Sequence, residues 1–331
     1  MVSLLERKLI VVTGKGGTGK TTVACALGLL GARSGLRTIV VELGGQHRLP
    51  ALFDLAEAPE SGVEVGLEPG LWSVSIDPDR ALLEWLRTLS GRLSARMLAT
   101  SNTFHYFAAA APGAKELVTM VEVRRLIEEG GTDKSGSSKD GLSDTWREGR
   151  RHKRAYDLVV LDAPATGHAL ATLSSPQTFS AIVRVGPLAE QAQGVQDLLG
   201  DISRSAYVAV AQGTEMAVTE TLELEEGLRR QFDRDLDAVF VNGTLPRRFT
   251  REELARIDGL GNDSDVVRRA SRVARAAYER AQVQQSQIAR LRRQRFVEGM
   301  PPSVATIPFV FTPELDLAAI RKIATGLERK L

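Results

Sequence analysis

The chain has little cysteine, few aromatic residues and no excess of charge of one sign. Its single cysteine, Cys25, can form neither an intramolecular disulfide nor a cysteine-rich zinc site. Lys and Arg number 43 against 41 Asp and Glu, so the formal net charge of +2 points to no particular charged partner. No apolar run approaches the ~18 residues of a membrane-spanning helix, and residues 1–12 lack a signal-peptide pattern. We therefore expect a cytoplasmic protein that is neither secreted by that route nor integral to a membrane.

The chain does have a regular alternation of short apolar runs with helical stretches. Its 331 residues, 43% hydrophobic and 25% charged, suffice for one large α/β domain or for two domains. Because helical stretches separate most of the apolar runs, we predict an α/β fold with a mainly parallel, twisted sheet and helices on both faces. The predicted strands are residues 9–13, 37–42, 71–76, 156–162, 206–211, 236–241 and 304–307.

Two longer stretches, residues 80–149 and residues 265–297, interrupt this alternation. Residues 80–129 predict a helical insertion. Residues 130–149 are rich in Gly and Ser and have almost no aliphatic side chains, which predicts a flexible surface loop. Residues 265–297 predict a helical excursion with nine Arg. We favour a single domain over residues 1–331 that carries these additions.

A glycine-rich loop with the pattern G-x-x-x-x-G-K-[ST] follows the first strand, at residues 14–21. Backbone N–H groups of such a loop turn toward an anion, its lysine adds charge at the β- and γ-phosphates, and its hydroxyl can ligate Mg²⁺. The motif lies between a predicted strand and a predicted helix, so it predicts a P-loop that binds ATP and Mg²⁺. Phosphate contacts are assigned to Gly14, Gly16, Gly17, Thr18, Gly19, Lys20, Thr21 and Thr22, with Lys20 also catalytic and Thr21 also a metal ligand.

Asp162 ends the apolar run of residues 158–162, which is typical of a Walker B aspartate that acts on Mg²⁺. Lys15 stands directly after the first glycine of the loop, and with it the loop resembles those of the deviant Walker A ATPases. That class includes the partition, Min, nitrogenase iron-protein and arsenite-pump families. The resemblance implies that Lys15 reaches the phosphates of the facing subunit in a closed dimer, where a second cation stabilises developing negative charge.

Further segments resemble the arsenite-pump/guided-entry ATPases. D-A-P-A-T-G-H at residues 162–168 is similar to their switch II, which implies that the Gly167 N–H contacts the γ-phosphate. Matches to other family segments are A-P-G-A-K-E at 111–116, V-F-V-N at 239–242 and I-P-F at 307–309. They imply that Asn242 recognises adenine and that Pro308 and Phe309 pack against the base. The chain thus resembles a bacterial branch of this superfamily with one ATPase domain per chain.

Some features of the family are missing. Arsenite pumps bind metalloid through several thiolates and the guided-entry factor joins its dimer through a C-x-x-C zinc pair, whereas this chain has only Cys25. Alignment with the family's D-P-A-H segment places Gly44 where the water-positioning aspartate stands. Glu42, Gln46 and His47 are candidate substitutes, and Glu42 would serve only where strand alternation turns it toward the phosphates. We therefore predict ATP binding with slow basal hydrolysis.

The leading hypothesis is a Mg²⁺-dependent switch ATPase that acts on a protein or lipid client. It would form a homodimer, or a heterodimer with a paralogous ATPase. One alternative is a weakly hydrolysing, nucleotide-sensing subunit of a hetero-complex. Another is a nucleic-acid partition ATPase, suggested by the arginines of residues 268–295, although charged helix faces are more often solvated. The apolar series of residues 315–327 could contact a membrane peripherally, but a helix packed on the sheet is the expectation.

Overall fold

The computed structural model describes residues 4–44, 47–55, 60–89, 113–129, 154–182, 187–259, 264–295 and 303–330. Among these residues eight strands form one sheet, in the spatial order β3-β4-β2-β5-β1-β6-β7-β8. Only β3 runs antiparallel to its neighbour. The strands are β1 Leu9–Gly14, β2 Thr38–Leu43, β3 Val65–Glu68, β4 Leu71–Ile76, β5 Leu158–Ala165, β6 Ser205–Gln212, β7 Ala238–Thr244 and β8 Val304–Pro308.

Helices connect these strands and cover both faces of the sheet. In the described part of the chain they are α1 Lys20–Arg33, α2 Arg48–Leu52, α3 Pro78–Leu89, α4 Ala114–Glu128, α5 Thr166–Ile182, α6 Pro187–Gly200, α7 Glu215–Phe232, α8 Arg251–Gly259, α9 Asp265–Gln294 and α10 Leu317–Glu328. A short 3₁₀ helix, Leu4–Glu6, precedes β1. No helix in these ranges is both long and apolar enough to cross a membrane.

Strand β1 shows how the two cores arise. Its β-branched, apolar side chains alternate, so Leu9 and Val11 face one core while Ile10 and Val12 face the other. The first core is closed by α4, α5, α6, α7 and part of α9, and the second by α1 and α10. A strand buried on both faces has no polar alternation, which explains the continuous apolar run in the sequence.

The predicted α/β fold with a mainly parallel sheet is confirmed. All seven predicted strands are present, with ends that differ by a few residues. β3 was not predicted; it is a four-residue antiparallel edge strand. In α10, Ile320, Ile323 and Leu327 are buried in the second core, as expected for a helix packed on the sheet, while Leu315, just before the helix, is exposed.

In the described part of the stretch for which a helical insertion is predicted lie the helices α3 and α4. α4 is a packed layer, since Leu117, Val118, Met120 and Val123 are fully buried. Residues 90–112 lie outside the described residues, and so does the whole loop predicted at 130–149. The helical excursion is one long helix, α9, over its described part. That the whole chain forms a single domain stays a prediction.

Candidate functional site

The carboxyl ends of the parallel strands meet at one edge of the sheet, and the loop between β1 and α1 lies at its centre. β1 is flanked by β5 and β6, so this loop is bordered by the segments that follow both neighbours. Gly14 has φ of +138°, and a Cβ there would stand 2.2 Å from the backbone oxygen of Val210. Gly19 has φ of +93°, and its Cβ would lie 2.3 Å from Nδ2 of Asn242. Side chains at these two positions would therefore disrupt the loop.

Lys20 begins α1 and folds back over the loop. Its Nζ donates to the backbone oxygen of Lys15 at 3.1 Å, and the Thr18 hydroxyl donates to the same oxygen at 2.9 Å. Burial lowers the pKa of Lys20, while the nearby Asp162 acts in the opposite direction. The lysine is thus held at the mouth of the loop, where an ammonium can meet an anion.

Thr21 and Asp162 join the loop to the end of β5. The Thr21 hydroxyl donates to Oδ2 of Asp162 at 2.6 Å. Burial raises the pKa of Asp162, whereas the Thr21 hydrogen bond and the charges of Lys20 and Arg48 lower it. No cluster of three or more His, Cys, Asp or Glu side chains able to hold a metal occurs among the described residues. A hydroxyl beside one carboxylate fits Mg²⁺, which keeps several waters and takes few protein ligands.

A cavity of about 460 Å³ opens beside this pair. The loop forms one wall, the end of β5 a second, and Leu43 with Arg48 a third. Its charged lining residues are Lys20, Arg48 and Asp162. Arg48 was missed by sequence reasoning, although a basic residue directly after His47 in the aligned segment was a signal for it.

Glu42 lies on the same side of the sheet as Asp162, since the two residues are paired in the register of β2 and β5. Its side chain is nevertheless occupied elsewhere. The carboxylate accepts from the backbone N–H groups of Arg48 at 3.0 Å and Leu49 at 3.3 Å, so it holds the start of α2. Burial, with a smaller effect of Asp162, raises the pKa of Glu42 to about 7. Gly44, at the position of the family's aspartate, is exposed and has φ of +89°. A catalytic role of Glu42 stays a prediction.

Lys15 points away from the cavity that Lys20 lines. Its Nζ forms an ion pair with Glu220 on α7 and also contacts the sulfur of Met216. A separate cavity of about 430 Å³ is lined by Lys15, Glu220 and Gly167, the second residue of α5. The structure therefore brings Lys15 and Gly167 together around one cavity, which Asn242 does not line.

A third cavity, of about 630 Å³, borders the loop at Gly17, Thr18 and Gly19. Asn242 lines it and donates from Nδ2 to the backbone oxygen of Thr18 at 2.8 Å. Pro308 and Phe309 line it as well, and the Phe309 ring is half-exposed beside Phe311, with ring centroids 4.9 Å apart. The three residues assigned to the base thus lie around one cavity.

Helix α9 supplies the far wall of this cavity, which sequence reasoning missed. Gln284 donates from Nε2 to the Gly243 oxygen at 3.1 Å and accepts from the Leu245 N–H at 2.8 Å. Arg280, one turn earlier, also lines the cavity. At the end of the excursion Arg295 is buried and paired with Glu225 at 3.0 Å. Its guanidinium is therefore part of the core and not of a nucleic-acid surface.

A glycine-rich loop at the centre of a mainly parallel sheet, with its threonine bonded to the acid that ends a neighbouring strand, defines the class of P-loop NTPases. The chain belongs to the anion-transporting ATPase family, whose sequence model matches residues 7–188, more than half of its length. This confirms the resemblance to the arsenite-pump/guided-entry superfamily. The family and the names of the relatives indicate an ATPase.

Several curated ATPases are similar to the chain. ATPase BagA of Mycobacterium tuberculosis is 28% identical over 265 residues, which cover 79% of this chain and 72% of that protein. ATPase GET3C of Arabidopsis thaliana is 24% identical over 322 residues, with 80% and 76% covered. ATPase ASNA1 homolog 1 of Paramecium tetraurelia is 30% identical over 171 residues, with 51% and 44% covered.

Proposed function

We propose that the chain is a Mg²⁺-dependent ATPase that works as a nucleotide-driven switch. The observation that carries this proposal is the 2.6 Å hydrogen bond between Thr21 and Asp162 beside the ammonium of Lys20. Mg²⁺, when bound, would neutralise charge on the phosphates and make the γ-phosphorus more susceptible to attack by water. Thr21 would ligate it and Asp162 would hold its hydration shell. Lys20 and the backbone N–H groups of the loop would bind the β- and γ-phosphates.

Two of the three cavities around the loop match parts of this proposal. The cavity at Lys20 and Asp162 takes the phosphates and the metal. The cavity at Asn242 takes adenine, with Phe309 against the base. Gly167 lines the separate cavity at Lys15 and not the one at Lys20, so contact of its N–H with the γ-phosphate would require movement of the segment that begins α5.

The proposal includes a dimer, because Lys15 lies outside the cavity that Lys20 lines in its own subunit. From a facing subunit, which is either a second copy or a paralogous ATPase, Lys15 would add positive charge near the transferring phosphoryl group. The client would be a protein or a lipid in the cytoplasm. A partition ATPase that binds DNA is less favoured, since charged helix faces are more often solvated. Arg290 bonds the Thr219 hydroxyl and Arg295 is buried, whereas Arg268, Arg269 and Arg272 are exposed.

Slow hydrolysis in isolation is part of the same proposal. Gly44 has no side chain to position a water, and the Glu42 carboxylate is bonded to the backbone of α2. Positioning by a general base contributes about 10²- to 10⁴-fold in typical enzymes. The same observation favours the second candidate, a nucleotide-sensing subunit that hydrolyses little and pairs with an active paralogue.

Substitution of the two loop lysines tests the proposal. Lys20→Ala should abolish measurable binding of Mg·ATP, whereas Lys15→Ala should leave binding within about threefold and reduce turnover about 100-fold or more. Binding is measured by titration with a fluorescent ATP analogue and turnover by phosphate release. Lys322→Ala, at an exposed position on α10, is the matched control and should change neither.

Mixing experiments then test the dimer. Chains with Lys15→Ala and chains with Asp162→Asn should each be slow alone and should regain activity when mixed, because one intact site can form across the interface. Equal loss of binding in the Lys15 and Lys20 variants would contradict separate roles for the two lysines. Failure of the wild-type chain to bind ATP would contradict the proposed function itself.

A further inference from the structure

Two positively charged residues, Lys20 and Arg48, are found among the described residues that line the cavity beside the Thr21–Asp162 pair. Arg48 stands on the wall formed by the end of β2 and the start of α2. Lys20 lies on the loop wall and Asp162 on the β5 wall. The two cations thus approach the same space from different elements, with the Thr21–Asp162 pair beside it.

The position of Arg48 is fixed through its backbone while its side chain stays available. Its N–H donates to Oε1 of Glu42 at 3.0 Å, and the next two residues, Leu49 and Pro50, are buried. The Arg48 residue itself is exposed to the cavity. Because the anchor is a backbone bond and buried neighbours, replacing the guanidinium leaves the attachment of α2 in place.

The charge of Arg48 is felt by the other ionisable groups of the cavity. Burial raises the pKa of Asp162 and of Glu42, and the charge of Arg48 opposes that rise; burial lowers the pKa of Lys20, and the charge of Arg48 lowers it further. A guanidinium also matches phosphate oxygens with two parallel N–H donors, which an ammonium cannot do. The site therefore has a donor suited to an anion beyond the reach of the loop backbone.

From this geometry we infer that Arg48 binds the terminal phosphate of ATP within its own subunit and makes the site prefer ATP to ADP. The inference rests on the proposed function, since it assumes that the loop holds the β-phosphate. The loop end of the cavity, at Gly19 and Thr21, receives the inner phosphates in any P-loop site. The third phosphate would occupy the same cavity, which Arg48 lines from the β2 side. Lys15 acts across an interface in the proposal, so the two residues have separate roles.

Binding of the terminal phosphate by Arg48 also agrees with the residues present in the segment after β2. A carboxylate would position the attacking water there, whereas this chain has Gly44 followed by a cation at Arg48. A cation without a carboxylate strengthens the binding of the triphosphate without activating water. The segment would then report which nucleotide is bound more than it promotes hydrolysis.

The experiment compares affinities of the full chain for Mg·ADP and for a non-hydrolysable Mg·ATP analogue. Arg48→Ala should weaken binding of the analogue about tenfold or more and that of ADP less than about threefold, because charge-assisted hydrogen bonds to one phosphate are lost. Arg48→Lys keeps the charge but not the paired donors, so its affinity for the ATP analogue should lie between those of the wild type and Arg48→Ala. Arg321→Ala, which removes an exposed arginine paired with Glu68 on the surface, is the control.

The outcomes separate the inference from the proposed function. Equal weakening of ADP and analogue binding by Arg48→Ala, or no weakening of either, would overturn the inference, while the wild-type affinity and its loss in Lys20→Ala would still support the function. Wild-type protein that binds neither nucleotide would overturn both. An unchanged melting temperature of Arg48→Ala confirms that the comparison is made between folded proteins.

Discussion

Replacing Glu42 with glutamine should remove a pH dependence of stability that the wild-type chain shows between about pH 4.5 and 7. Glu42 is 3% exposed, and burial of its carboxyl group raises the pKa from 4.5 to about 7 in the folded chain. In this window the folded state holds a proton that the unfolded state has released. Stability therefore falls as pH rises through it, which is opposite to the usual behaviour of a surface carboxylate.

The magnitude follows from the difference in pKa. Each pKa unit corresponds to about 1.4 kcal/mol, so the rise gives roughly 3 kcal/mol over the whole window. Between pH 5 and pH 8 we expect the unfolding free energy of the wild type, relative to Glu42→Gln, to fall by roughly 2 to 3 kcal/mol. Urea unfolding of both proteins without nucleotide, at three or four pH values, measures this difference directly.

Two features make the comparison specific. Glutamine has nearly the same shape, and its Oε1 can still accept one of the two N–H groups at the start of α2. Glu68→Gln, which removes a surface pair with Arg321, is the control and should cost less than about 1 kcal/mol. A difference between wild type and Glu42→Gln that stays flat from pH 5 to pH 8 would refute the reasoning from burial.

Two further predictions concern the core and the hydrolytic step. Arg295→Met should lower the free energy of unfolding by about 3 to 5 kcal/mol in urea, because Glu225 is then buried without its partner; Arg268→Met, at an exposed pair, should cost under about 1 kcal/mol. Gly44→Asp should raise single-turnover hydrolysis about tenfold or more if a carboxylate is what the site lacks, and an unchanged rate would show that the slow step lies elsewhere.

The sheet was predictable because its strands are buried on both faces. Runs such as 9–13 and 206–211 contain hardly any polar residues, so their composition alone predicts that both faces are buried. β3 has four residues, includes a glycine and is only half-buried. Such an edge strand is defined by its pairing with β4, which no local pattern reveals.

The part of the site that belongs to sequence motifs was also predictable, since the residue types of the loop themselves indicate phosphate and Mg²⁺ binding. Thr21 and Asp162 lie 141 positions apart. Each belongs to a recognisable motif, the glycine-rich loop and the apolar strand that ends in an acid, and the two motifs occur together in P-loop proteins. Gln284 and Arg280 have no such motif. They reach the cavity because α9 packs beside β7, and the Gln284 bonds span 39 and 41 positions. Contacts of this kind depend on the path of the chain in three dimensions.

The two lysines of the loop contact different elements, so a role of Lys15 in a facing subunit depends on the strength of the contact that it makes in its own. Lys15 is paired with Glu220 inside its own subunit, so its transfer to a facing nucleotide requires that pair to break. The side chains are 36% and 31% exposed, and a pair of this kind contributes about 1 kcal/mol or less. Charge-assisted hydrogen bonds to phosphate are stronger than this. The Glu220 contact therefore holds Lys15 near the surface of α7 without preventing it from exchanging Glu220 for a phosphate. The proposed contact of Lys15 with the nucleotide of a facing subunit is energetically accessible.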